Sequence, residues 1–353
     1  MIIDGDSIKN ILVREPNWIG DIMMSTPAIH ALRESFPNSR ISVLIKKGLA
    51  PLLEGNGDID EIISFSPEGL SPLSRISFYR DLKERDFDLA LLFTNSFESA
   101  LAAWLAGAKI RLGYRKDMRN LLLTHPVPLP KRESPRMHQS KFYTDLVAEA
   151  GPGQPADRLF FHVPEEAAIE AEKIWQENGL TGSSFVVGFG VGAAFGNAKR
   201  WPLERYSELA NRIVRELEGK VIIFGGSGDR GDAENILSGC PAGVISLAGG
   251  VSLKTLGALL KRCDLYVTND SGPMHIAAAV GTPIVAIFGS TDPSESAPLS
   301  DLYTIVRKEA DCSPCWKREC PTDHRCMEEI NVDDLFSPVS EYYRAKIGDT
   351  DVK

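Results

Sequence analysis

The chain has no uninterrupted apolar run of the roughly 18 residues that a membrane-spanning helix requires, which excludes a helical membrane fold. Its opening, MIIDGDSIKN, carries acids early and no positive segment leading into an apolar core, which argues against secretion. Basic residues are in deficit. The 39 Lys and Arg stand against 48 Asp and Glu, and a net charge of −9 excludes a general nucleic-acid binder. A Walker A loop is missing as well. What remains, 43% apolar and 25% charged residues over 353 positions, is an ordinary globular composition at a length that favours two domains.

The apolar segments alternate between short strands and amphipathic helices. NILVRE, RISVLIKK and FDLALLFTN read as strands, while IMMSTPAIHALRESF and ESALAAWLAGA read as helices. A Gly- and Pro-rich stretch, GPGQPADRLFFHVPEE, reads as an interdomain linker. The alternation then restarts with SSFVVGFG, WPLERYSELANRIVREL, KVIIFGG, SLKTLGALLKRC, DLYVTND, PMHIAAAVG and PIVAIFG. The expected fold is α/β, with two doubly wound Rossmann-like domains facing across a cleft, residues 1–160 and 161–353. The last segment, VDDLFSPVSEYYRAKI, is expected to form a closing helix packed back on the N-terminal domain, weakened in its first part by Pro338.

Several familiar patterns fail on context. Gly226, Gly228 and Gly231 make a G-x-G-x-x-G after a strand, but the next strand, in GVISLAGG, ends in no acid for a dinucleotide ribose. The DSGP at Asp270 lies in a strand–turn–helix context, wrong for the all-β serine proteases. The acid pairs DID (58–60) and DFD (86–88) read as strand flanks rather than catalytic metal ligands.

Three strand ends carry the chemistry. In PNWIGD, Gly20 permits close backbone approach and Asp21 falls in the first helical turn, where a carboxylate is favoured. In GFGVGAAFGNAKRWP, a loop containing Gly192 and Gly196 ends in Lys199 and Arg200, a composition suited to phosphate. In TNDSGPMHIAAAVG, Ser271 and Gly272 open a helix with His275 in its first turn, again a phosphate geometry. Asp270 beside it suits sugar hydroxyls better than phosphate. A basic run from Lys109 to Lys141 holds nine cations (Lys109, Arg111, Arg115, Lys116, Arg119, Lys131, Arg132, Arg136 and Lys141) against Asp117 and Glu133. It is either a solvated face or an anion site.

Together, NWIGD, GAAFGNAKRWP and TNDSGPMHIAAAVGTPIVAIFG resemble the lipopolysaccharide heptosyltransferases, most closely the heptosyltransferase II type, over nearly the whole chain. The resemblance implies a GT-B fold, an ADP-heptose donor, inversion at the anomeric carbon, and no metal or other cofactor in catalysis. It implies Asp21 as base, with Lys199, Asp270, Ser271, Gly272 and His275 on the donor's sugar and diphosphate beside the loop of Gly192. Asp229 matches a ribose ligand and Val251 an adenine contact. The implied acceptor is a phosphorylated lipopolysaccharide core with its lipid A. That favours the anion-site reading of the basic run, with Arg115, Lys116 and Arg119 as acceptor contacts. A cytoplasmic enzyme in peripheral contact with the inner membrane is expected. The competing readings are a related GT-B transferase with another nucleotide sugar or acceptor, or a non-catalytic nucleotide-sugar-binding protein.

One feature stands outside the resemblance. CSPCWKRECPTDHRC gathers Cys312, Cys315, Cys320 and Cys326. A structural zinc is the first reading of four such thiols, with disulfides, free thiols or a cluster as alternatives.

Overall fold

The computed structural model describes the chain apart from residues 1, 2, 4–6, 67, 117, 131–135, 184 and 351–353 and the side chains of 349 and 350. It divides into two compact units, Met1–His162 and Val163–Lys353.

The first unit contains β1 (Asn10–Arg14), β2 (Arg40–Lys46), β3 (Glu61–Phe65), β4 (Leu89–Leu92), β5 (Ile110–Tyr114) and β6 (His125–Val127). Its helices are α1 (Ile19–Ser35), α2 (Pro72–Asp81), α3 (Phe97–Leu105) and α4 (Gln139–Ala148). The sheet order is β3-β2-β1-β4-β5-β6, parallel at every pairing.

The second unit contains β7 (Val186–Gly190), β8 (Lys220–Phe224), β9 (Val244–Ser246), β10 (Leu265–Asn269), β11 (Ile284–Phe288) and β12 (Tyr303–Arg307). Its main helices are α5 (Glu165–Glu177), α6 (Leu203–Glu216), α7 (Arg230–Ser238), α8 (Leu253–Leu260) and α9 (Gly272–Val280). Two short helices, α10 (Pro293–Ser296) and α11 (Arg325–Glu328), precede the long α12 (Val332–Thr350). The order β12-β11-β10-β7-β8-β9, again all parallel, repeats that of the first sheet when each is numbered from its own start. A parallel sheet covered on both faces needs continuous apolar strands, and LALL of β4 and IVAIF of β11 are buried at every position. In each sheet the order reverses beside the first strand, between β1 and β4 and between β7 and β10. Such reversals open a crevice at the strand C-termini, where ligands of doubly wound folds bind.

Two local features add to the sequence reading. The helix α12 runs through Pro338 without ending, and it packs on α6, β11 and β12 of its own unit. Leu335 and Val339, flanking the proline, are both fully buried, so packing offsets the lost backbone bond. The Gly- and Pro-rich stretch is also more than a tether. Pro27 inside α1 cannot donate to the carbonyl of Met23, and Thr26 Oγ1 donates to it instead at 2.8 Å. That same oxygen accepts the Phe160 N–H at 3.0 Å, and Ser35 Oγ accepts the Gly153 N–H at 2.8 Å. Most of the stretch is therefore fastened along α1. No helix among the described residues is long and apolar enough to cross a membrane.

A Cβ at position 153 would stand 1.9 Å from the backbone oxygen of Ala31, which cannot move aside without distorting α1. Gly153→Ala is expected to lower stability by about 1–3 kcal/mol. Thermal unfolding checks this, and an unchanged melting temperature would show that the stretch is not held there.

Candidate functional site

In the first unit the crevice at the β1–β4 reversal is lined by the residues that leave β1. Glu15 follows the strand, Trp18 caps α1 through its backbone, and Asp21 sits half-buried in the helix's first turn. α4 packs along α1 and brings Tyr143 to the same place. The Tyr143 hydroxyl lies close to the Asp21 carboxylate and to the Gln139 side chain. Burial, reinforced by the Asp21 charge, pushes the Tyr143 phenol well above its ordinary range. The phenol therefore keeps its proton and faces the Asp21 carboxylate as a neutral group.

Two neighbours went unremarked in the sequence. Arg14 is buried, and burial lowers its pKa; it donates to the backbone oxygen of Glu15 at 2.5 Å and to Asn17 Oδ1 at 3.3 Å. Glu15 is wholly buried, and desolvation pushes its carboxyl up to about 8, against the opposing pull of Ser25 and Arg14. A single acid after an apolar strand looks like a solvated strand end. Only the crossing of α1 and α4 above it reveals the burial.

The basic run divides. Arg115 and Lys116 are exposed, as an acceptor contact requires. Arg119 has no exposed surface and instead donates to Thr94 O and Ser99 Oγ, bracing the turn after β4. A Cβ on Gly113 would sit 2.2 Å from its Nη2, so the glycine makes room for it. Lys131 and Arg132 lie outside the described residues.

In the second unit, the two segments flanking the β7–β10 reversal are locked together by Asn269. Its Oδ1 accepts the Trp201 N–H and the Tyr206 hydroxyl, each at 3.1 Å, and its Nδ2 donates to Val191 O at 2.9 Å. With the corner fixed, Lys199 reaches Asp270, Nζ to Oδ2 at 2.5 Å. Asp270 is only 5% exposed, and it also accepts from Thr291 Oγ1 at 2.7 Å and Ser296 Oγ at 3.2 Å. Thr291 and Ser296 follow β11, the next strand in the sheet. The STDPSES stretch after an apolar strand was the signal that could have placed them.

The other expected residues lie in the same unit. Ser271 is the N-cap of α9 without a side-chain capping bond, its hydroxyl 3.3 Å from Thr268 Oγ1, and Gly272 is the first helical residue. His275 lies in the first turn but is buried. Gly192 closes on Asp229, where a Cβ would fall 2.4 Å from Oδ2. Asp229 accepts the Gly226 N–H at 2.8 Å and Arg200 Nη2 at 2.8 Å, while Arg200 also bonds Asp232. Arg200 thus orients Asp229, a role its place beside Lys199 did not suggest. Val251 is partly exposed, in the bend just before the Ser252 N-cap of α8.

The four cysteines are free thiols that line one cavity of about 130 Å³ together with His324 and Ala198. Burial, then the neighbouring Cys312, Cys315 and Cys320, raise the Cys326 thiol to about 11. Hydrogen bonding to Thr322 lowers that of Cys320. Among the described residues no three His, Cys, Asp or Glu are arranged to hold a metal ion. The loop grips the turn that presents Lys199. Ala198 N–H donates to Arg318 O at 3.0 Å, and Ala198 O lies 3.2 Å from His324 Nε2.

Two doubly wound sheets of one strand order, each with polar side chains gathered at its reversal, have the architecture of the GT-B fold. Comparison with known proteins narrows this. Residues 75–325 match the family Glycosyltransferase family 9 (heptosyltransferase). The chain is 35% identical over 343 residues to lipopolysaccharide heptosyltransferase 2 of Escherichia coli K12, covering 91% of this chain and 97% of that protein. The structure of E. coli ADP-heptose LPS heptosyltransferase II is similar, with a TM-score of 0.81 and 28% identity, over 96% of this chain and 99% of that one. A family 9 glycosyltransferase from Veillonella parvula gives a TM-score of 0.83 at 25% identity, over 95% and 97%. The chain belongs to glycosyltransferase family 9, the heptosyltransferases.

Proposed function

We propose that this heptosyltransferase moves heptose from ADP-heptose to the inner core of lipopolysaccharide, with inversion and with Asp21 as the base. The acceptor hydroxyl attacks the anomeric carbon and the bond from that carbon to the diphosphate breaks. Asp21 takes the hydroxyl proton, and ADP leaves with the electron pair. The observation that carries the assignment is the place of Asp21, half-buried in the first turn of α1 at the β1–β4 reversal and beside a neutral Tyr143 phenol.

The donor falls to the β7–β10 reversal. Lys199 and the start of α9 at Ser271 and Gly272 supply positive potential to the departing diphosphate, so no metal is needed for that task. Engaging the diphosphate requires Lys199 to loosen from Asp270, whose oxygens then turn to sugar hydroxyls. His275 completes that end of the site, while Asp229 and Val251 serve the ribose and adenine. On the acceptor side, the exposed Arg115 and Lys116 suit core phosphates. Met118 and Leu121, 76% and 83% exposed, support peripheral contact with a lipid surface on the cytoplasmic side of the inner membrane.

Asp21→Asn is expected to lower turnover by roughly 100-fold or more. Calorimetric ADP affinity should stay within about twofold of the wild type, since the base contributes to the step rather than to donor binding. Full turnover in this variant would remove the base assignment and favour a binding protein that needs none.

Cys312, Cys315, Cys320 and Cys326 are proposed to hold a structural zinc. Four thiols lining one cavity support this, and binding would require them to move together from their present arrangement. Protein produced with zinc should contain about one ion per chain by that four-ligand stoichiometry, and the paired Ser substitutions at Cys315 and Cys320 should lower both zinc content and melting temperature. Metal-free native protein with four titratable thiols would exclude the site.

A further inference from the structure

We propose that Glu15 is held as a neutral carboxylic acid and acts as a positioning residue for Asp21, leaving a single negative charge in the crevice of the first unit. The positioning role rests on Asp21 being the base; the protonation state does not.

The geometry of Ser25 carries the assignment. Its Oγ lies 2.8 Å from Glu15 Oε2 and 2.7 Å from the backbone oxygen of Ile22. A serine hydroxyl has one proton, and a backbone carbonyl can only accept. One serine proton cannot serve both contacts at full strength, whereas a protonated Glu15 donating to Ser25, which in turn donates to Ile22 O, satisfies both. An ionised Glu15 would have to share the single Ser25 proton with the Ile22 carbonyl, a weaker arrangement for a buried carboxylate. The other carboxyl oxygen, Oε1, is buried with no hydrogen-bond partner. A neutral acid tolerates that position far better than a carboxylate does.

The charges around Glu15 agree. From β1, Arg14 faces it, yet the guanidinium donates to the backbone oxygen of Glu15 rather than to its carboxyl. From α1 come Ser25 and, one turn earlier, Asp21. From α4 comes Tyr143, which feels both Glu15 and Asp21. Tyr79 of α2 and Glu98 of α3 also act on Arg14. Burial is the largest influence, and the proton leaves only near pH 8. Once it leaves, a second negative charge faces the phenol beside Asp21, and Glu15 must share the Ser25 proton with Ile22 O. The base then loses its fixed position.

The sign of the stability linkage follows. A carboxyl raised from 4.5 to about 8 on folding contributes stability that is fully present below pH 4.5 and is lost as pH rises through about 8. Glutamine keeps the neutral shape and never ionises.

The experiment compares the full chain with Glu15→Gln and Asp21→Asn, using ADP release from ADP-heptose in the presence of lipopolysaccharide inner core, and thermal unfolding, both across pH. The expected wild-type kcat/KM falls above about pH 8, by about tenfold per pH unit, while Glu15→Gln keeps near wild-type activity at neutral pH and lacks that fall. The melting temperature of Glu15→Gln should gain on the wild type steadily from pH 4.5 to about 8 and then level off. The same alkaline fall in both proteins, or a melting-temperature difference flat across that range, would overturn the proposal. The Asp21→Asn arm separates the readings: full turnover there sinks the base assignment, while the melting curves still decide whether Glu15 is protonated.

Discussion

A carboxylate removed from water must be paired, and in this protein the residue under that constraint is Asp270. It stands one residue beyond the central strand β10, at the point where the second sheet reverses. Lys199 answers it from the loop after β7, and Thr291 and Ser296 answer it from beyond β11. Three consecutive positions across the sheet are thereby drawn to one atom group. Asn269 beneath it ties the same loop through Trp201, Tyr206 and Val191, so the cation reaches the carboxylate from a fixed base. Removing one partner of such a pair costs about 3–5 kcal/mol, because it leaves an uncompensated buried charge. A ligand phosphate can take over Lys199 only by offering it negative charge while supplying Asp270 with new donors. A sugar joined to a diphosphate offers both.

The first unit solves the opposite problem with the same strand order. There the crevice holds few charges, and each is governed by a neutral group. Tyr143 stands beside Asp21, and Ser25 hydrogen-bonds with Glu15. Cationic charge in this unit is either buried as structure, as in Arg14 and Arg119, or displayed outward, as in Arg115 and Lys116. The division of labour in the proposed reaction, a base in one unit and a stabilised leaving group in the other, thus has a counterpart in the electrostatics of each sheet's reversal.

The parts of the fold legible in the sequence were those set by apolar periodicity. Continuous strands such as IVAIF and the paired corners at Gly20 and Gly272 mark parallel sheets and their ends because burial on both faces leaves no alternative pattern. Residues whose role depends on what crosses above them were not legible. Arg119 reads as one more cation in an exposed run until the turn after β4 is seen to need its donors. Glu15 reads as a strand terminus until α1 and α4 close over it. Pro338 reads as a weak point in the closing helix because local propensity knows nothing of the buried Leu335 and Val339 beside it. Local rules stop where long-range contact begins.

The central claim is that the β7–β10 reversal is the diphosphate site and that Lys199 is its cation. Calorimetric titration of ADP into the wild type and Lys199→Ala, both confirmed folded by circular dichroism, tests it most directly. A charge-assisted contact worth about 1.5–3 kcal/mol corresponds to a loss of affinity of roughly 10- to 100-fold. That loss is the predicted result. Equal ADP affinity in the two proteins would contradict the account and move the diphosphate away from Lys199.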